Sequence, residues 1–381
     1  EMCIRDSYKW IANVNYIIDA EPEMAGTEAD VAYVAGQAYA IRALCYLNLA
    51  TWFSRAPYNS LTGASRWNEP CVPVYTTGTS IDTGGQPRES LRTVYGRIDQ
   101  DIDRAIELLE KARETTLAEN NKSHINLYVA LGIKSRACLA EGDWDGAFKA
   151  AKRVIDEGGY AVGTKSDLTG GMNSLDKQNV MWGAGIQVAD QAGGYAGFFT
   201  HMDNKEGAYA KSAPKLISKQ LYNRISATDI RRDWWDPSDK ESPYVSKKFS
   251  FANVASFLGD YIYMRVEEMY FTAAEAALRL DDLKSARELM NTVMAERDPG
   301  YSANNRSGTL LGATTTTWTG SFLENILTHR RIELWGEYGR LFDVRRLGQG
   351  IDRRTDDGFS EECISMMNRR NVNITKADTY D

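Results

Sequence analysis

The feature that most constrains this chain is an internal repeat. The stretch "YVALGIKSRACLAEGDWDGAFKAAKRVI" aligns with "YFTAAEAALRLDDLKSARELMNTVM", so that Gly142, Asp143, Trp144 and Ala147 fall opposite Asp281, Asp282, Leu283 and Ala286. Each copy reads as a helix, a tight acidic turn, and a second helix with a small residue one turn in. An alanine there lets the second helix approach the first closely, and an aromatic or leucine beside it fills the gap. That is the logic of a tetratricopeptide unit, which buries its apolar face by stacking on neighbours. Apolar periodicity extends the pattern to helices over about 30–54, 90–113, 124–140, 145–157, 265–280, 282–296 and 321–347. The first two form a further pair, split by a long insertion.

Between the helices lie stretches rich in Gly, Ser, Thr, Asn and Pro, at about 55–88, 158–263, 298–320 and from 348 onward. They are far longer than ordinary connections, so they are expected to be functional loops or a second layer of structure. The expected fold is mainly α: tetratricopeptide-like helical pairs with long irregular loop insertions and a few short strands, one of them in "NVMWGAGIQV".

The 381 residues carry a net charge of -7 with a pI near 5.3 and no long basic run, which argues against nucleic acid or an anionic membrane surface as partner. No run is apolar enough to be a transmembrane helix. The five cysteines show neither a C-x-x-C pair nor zinc spacing, and the three histidines lie far apart, so no metal site is expected.

The run "RRIELWGEYGRLFDVRRLG", residues 330–348, mixes charge with apolar anchors at helical spacing. Leu323, Leu327, Leu334, Trp335, Tyr338, Leu341 and Phe342 share one stripe, and Arg331 and Arg345 fall inside it. A buried guanidinium there needs a carboxylate from another element. Glu268 and Glu275, on one face of the helix from Arg265, are the expected partners. As a glycosidase pair they fail, because seven helical residues advance about 10.5 Å, beyond the roughly 5 to 9.5 Å such enzymes use. Asp99, Asp101 and Asp103 read as a solvated helix face. "GAGIQV" lacks the third glycine of a dinucleotide loop, and no G-x-S-x-G, H-E-x-x-H or Walker loop occurs. No enzyme activity and no cofactor are expected.

At these residues the chain resembles the SusD/RagB family of surface-exposed outer-membrane lipoproteins. "ILTHRRIELWGEYGRLFDVRRLG" looks like that family's C-terminal signature. "AYAIRALCYLNLATWFSRAP", "SLRTVYGRIDQDIDRAIELL", "ALGIKSRACLAEGDWDGAFKAAKRVIDEGGY" and "YMRVEEMYFTAAEAALRLDD" agree with it in order, over about residues 30–350. The resemblance implies a single domain over 1–381, capture of an oligosaccharide or, less often, a peptide, and delivery to a TonB-dependent SusC-type transporter at the cell surface. A lipid anchor is implied too. Cys3 has no apolar run before it and is not read as the lipid site, and the expectation is a fragment short of both family termini. A tetratricopeptide-type scaffold that binds a protein segment, without a small ligand, is the alternative.

Sugar recognition uses aromatic faces against apolar ring faces, with amide, carboxylate and guanidinium groups on the hydroxyls. The candidates are "SRWNEP", with Arg66, Trp67, Asn68 and Glu69, and "DIRRDWWDP", with Arg232, Asp233, Trp234 and Trp235. Trp67 is the first choice, as a lid residue or a binding platform. Trp234 and Trp235 are adjacent, so one of the two is expected in the core. Trp182, Tyr195 and Trp318 are weaker candidates.

Overall fold

The computed structural model describes residues 2–115, 117, 121–188, 197–304 and 320–348. They fall into two compact units: one holds the chain up to Arg153 together with the segment from Leu341, the other Val154–Arg340.

In the first unit the helices are α1 (Met2–Ala20), α2 (Glu28–Phe53), α3 (Leu91–Lys111), α4 (Leu127–Glu141) and α5 (Trp144–Glu157). The starts of α2, α3 and α4 are set by Thr27, Ser90 and Asn126, whose side chains accept from the backbone N–H three residues on. Gly36 lets α2 and α3 come together, since a Cβ there would lie 2.9 Å from the Leu109 side chain. Helix α1 stands where no element was expected. Its inward residues Ile4, Ile11 and Val14 make a narrow stripe, interrupted by polar residues and by the exposed Trp10 and Tyr16. The acidic run on α3 needs correction as well. Asp103 is exposed and Asp99 partly buried, but Asp101 is fully buried, where it takes Arg42 of α2 through two bonds of 2.7 and 2.8 Å. Arg42 also donates to the Asn15 side chain of α1 and to the Thr76 carbonyl, so one ion pair ties three helices and a loop.

The two aligned copies have the same turn. Gly142 closes α4 in the left-handed region at φ 78°, and its counterpart Asp281 sits at φ 62°. Ala147 and Ala286 are both fully buried, as close helix approach requires.

In the second unit β1 (Val180–Ala184) pairs antiparallel with β4 (Tyr261–Arg265), and β2 (Trp235–Asp236) with β3 (Val245–Ser246). Strand β4 runs directly into α6 (Val266–Arg279), which folds back on α7 (Leu283–Ala295) and packs against α8 (Phe322–Glu333). The expected helix over 321–347 is not continuous. It stops at Glu333, passes through Gly336 and Gly339 at φ 74° and 127°, and resumes as α9 (Arg340–Leu347) in the first unit. The long insertion between α5 and β4 folds around an aromatic core that includes Phe199, Trp234, Trp235, Phe249 and Phe251. Among the described residues no helix is long and apolar enough to cross a membrane.

Candidate functional site

The charged signature builds a buried ionic network inside the second unit. Glu333, at the end of α8, receives Arg297 through two bonds of 3.0 Å, Arg265 at 3.0 Å and Arg231 at 3.1 Å. Glu337, in the turn after α8, holds Arg265 at 2.8 Å and Lys248 at 2.5 Å, and the Lys248 ammonium also donates to the Glu333 and Trp335 carbonyls. Glu267 takes Arg297 and Asp229 takes Arg231. Burial alone would raise the pKa of Glu333, but the guanidinium groups of Arg297, Arg265 and Arg231 outweigh it and hold the carboxylate well below its usual range. Burial pushes Lys248 down to about 8, against the pull of Glu337. Four cations and four carboxylates close on one another, so the network sets the path of the chain.

Where Arg331 and Arg345 were expected to be buried, their neighbours are the fully buried ones. Arg330, not Arg331, is the fully buried arginine, and it reaches the Glu268 carboxylate at 3.3 Å and the Thr272 hydroxyl at 3.1 Å. Arg331 is partly buried. Glu275 pairs with Arg279 on its own helix. On α9 it is again the neighbour, Arg346, that is fully buried and bonded to Asp343, while Arg345 is partly buried. Every residue from Ser321 to Arg330 is buried, so periodicity could not separate adjacent positions.

The loop "SRWNEP" is held by backbone bonds from Arg66 to Pro57 and from Leu91 and Arg92 to the Glu69 and Trp67 carbonyls. Trp67 is partly buried, its ring edge-on to Tyr95 at 5.9 Å with the Arg92 guanidinium 5.7 Å from its centroid. Arg66 is partly buried and Asn68 exposed. Trp67 is thus braced by α3 while keeping some accessible surface. Trp234 and Trp235 differ from expectation: both, not one, are core residues, at 2% and 1% exposure, and neither offers a ring face to a ligand. Trp182 packs on Tyr263, with ring centroids 4.9 Å apart. Tyr195 and Trp318 lie outside the described residues.

The second candidate loop nevertheless lines a cleft of about 410 Å³. Arg232, Asp233, Trp235 and Asp236 form part of its wall, joined by Tyr222 and Thr228 just before them, by Lys247 just after, and by Lys165 from a distant part of the sequence. Lys165 and Lys247 carried no sequence signal, because nothing in their neighbourhoods marks them as convergent. Among the described residues no group of three or more His, Cys, Asp or Glu side chains is arranged to hold a metal.

A pair of carboxyl groups in the first unit makes stability pH-dependent. Glu141 at the end of α4 lies beside Asp99 of α3, and burial, Asp99 and Asp143 together push its pKa up to about 9, against Lys134. A carboxyl with a higher pKa in the fold than in the unfolded chain binds its proton more tightly when folded. Its contribution is therefore complete below the ordinary carboxylate range and is lost as the pH climbs toward about 9. Glu141→Gln, which stays neutral, is expected to raise stability at pH 8 by ~1–2 kcal/mol and to flatten the decline between pH 5 and 9. Thermal midpoints across that range check it; an unchanged slope would contradict the assignment.

Paired antiparallel helices carrying long loops, with a charged signature spent on internal ion pairs, define a tetratricopeptide-like helical protein. A profile described as the SusD family matches residues 203–380, and one described as starch-binding associating with outer membrane matches residues 4–139. The chain belongs to the SusD/RagB family. Among solved structures, a SusD-like carbohydrate binding protein from Bacteroides vulgatus is 29% identical at a TM-score of 0.75, covering 91% of this chain and 69% of that one. A SusD superfamily protein from Bacteroides thetaiotaomicron, 21% identical, has a TM-score of 0.75 over 98% of this chain and 80% of its own. Surface glycan-binding protein A from Bacteroides uniformis, 18% identical, has a TM-score of 0.67 over 98% and 80%. These last two establish the fold alone. A comparison with curated proteins finds no match.

Proposed function

We propose that the protein is the surface nutrient-binding component of an outer-membrane uptake system, a single SusD/RagB-like domain that captures an oligosaccharide and passes it to a TonB-dependent SusC-type transporter. The observation that carries this reading is the 29% identity, over 91% of the chain, to a carbohydrate binding protein of the same family. Outer-membrane association is supported by the description of the family profile on residues 4–139. The protein binds and does not turn over its ligand, in keeping with the 29%-identical relative described as a carbohydrate binding protein.

Trp67, Arg66 and Asn68 are the first candidates for ligand contact. A loop on a rigid helical scaffold can change its chemistry without disturbing the core. Stacking a sugar ring on an accessible indole contributes on the order of 1–2 kcal/mol, so Trp67→Ala is expected to weaken glycan binding about tenfold. Glycan affinity and thermal midpoint measured on the same variant provide the test. A lowered midpoint with unchanged affinity would make Trp67 a brace on α3 and remove it from the site.

A further inference from the structure

The cleft beside β2 has a character of its own. At about 410 Å³ it falls within the roughly 300 to 1,000 Å³ of small-molecule sites, and its lining is dominated by polar groups from three separate stretches of chain. Three cations face it, Lys165, Arg232 and Lys247. Of the carboxylates, Asp229 is buried and already neutralised by Arg231 at 2.6 Å, and Asp236 accepts from the Ser238 backbone and hydroxyl. Asp233 stands 3.9 Å from Lys165. The cleft therefore carries one cation more than Asp233 and Asp236 offset. Arg232 is fixed in place by the Ile225 carbonyl at 2.8 Å and by the face of Tyr222 at 4.3 Å, while Lys165 and Lys247 are exposed and able to reach a ligand.

A second observation points to the same place. The wall residue Trp235 is 1% exposed, and its Nε1 is a buried donor without a hydrogen-bond partner among the described residues. Leaving such a donor unmatched forfeits the hydrogen bond it would make to water in the unfolded chain. An acceptor oxygen at the inner wall would recover that loss.

We propose that this cleft is a binding subsite for a carboxylated sugar, a uronic acid residue whose carboxylate meets Lys165 and Lys247 and one of whose oxygens accepts from Trp235 Nε1. The inference rests on the glycan-binding reading and narrows it to acidic glycans. Arg232 and Asp233 then serve the hydroxyl groups, as a donor and an acceptor.

Calorimetric titration of the whole chain with galacturonate and glucuronate disaccharides, and with their carboxyl-reduced neutral counterparts, tests it. At least one acidic disaccharide is expected to bind about tenfold more tightly than its neutral counterpart. The double variant Lys165→Gln, Lys247→Gln should abolish that preference. Trp67→Ala should leave the acid-to-neutral ratio unchanged whatever it does to overall affinity. The Trp235 indole N–H resonance, assigned by its loss in Trp235→Phe, should shift on titration with the acid. Equal affinity for acid and neutral sugars, a preference that survives the lysine substitutions, or an unmoved Trp235 resonance would overturn the proposal while the glycan-binding reading stands. Binding of none of these sugars, when neutral glycans outside the panel do bind, would also overturn it alone; failure of every glycan would overturn both.

Discussion

Glu333→Gln is expected to destabilise the second unit by ~3–5 kcal/mol, a large fraction of the about 5–15 kcal/mol that holds a typical domain together. The side chain is fully buried and is the shared partner of Arg231, Arg265 and Arg297. An amide of the same shape keeps some hydrogen bonds but removes the only charge that these three guanidinium groups hold in common. Buried cations left short of a carboxylate are costly because water cannot reach them. Replacing Arg330 by Met should likewise be severe, because its guanidinium is fully buried against the Glu268 carboxylate and the Thr272 hydroxyl. Chemical denaturation followed by tryptophan fluorescence measures these losses, with Trp10, Trp52, Trp67 and Trp144 replaced by Phe so that the signal comes from the second unit, where Trp234 and Trp235 lie in the core. A loss below about 1 kcal/mol for Glu333→Gln would mean that the network is ornamental.

Asp101→Asn is expected to do comparable damage in the first unit, also ~3–5 kcal/mol. Asp101 is fully buried, holds Arg42 through both carboxylate oxygens, and takes a further bond of 2.7 Å from Arg97. Arg42 would keep the Asn15 and Thr76 oxygens but lose its counter-charge. Asp103→Asn supplies the control: Asp103 is exposed and pairs with Lys134 at the surface, so its loss should hardly register. Equal effects at 101 and 103 would show that the helix face is solvated after all.

How far the sequence led can be judged at particular residues. The repeat was legible down to its turn, because the left-handed conformation that suits Gly142 is imposed on Asp281 by the same helix-turn-helix geometry. The helices around it were legible for the ordinary reason that their apolar stripes recur at 3.6 residues. What escaped was decided by tertiary partners. The helix stops just short of Gly336 and Gly339, but that the turn through them is used to bring Glu337 to Arg265 and Lys248 depends on residues far away in sequence. Which of two neighbouring arginines is buried escaped too, because α8 is enclosed on every side and a stripe is no guide. Asp101 was hidden in an acidic run whose other members are more accessible. Of the candidate site, the two loops could be chosen by composition. That both Trp234 and Trp235 are core, and that Lys165 and Lys247 converge beside them, depends on a packing that no local pattern encodes.

The central claim is that this chain binds glycan and leaves it whole. Incubating purified protein with a panel of soluble neutral and acidic oligosaccharides, measuring affinity by calorimetry and then recovering the ligand for mass analysis, tests both halves at once. The account predicts saturable binding of at least one oligosaccharide, recovered at unchanged mass. Binding of peptides but no glycan, or cleavage products that disappear when a carboxylate is replaced, would contradict it.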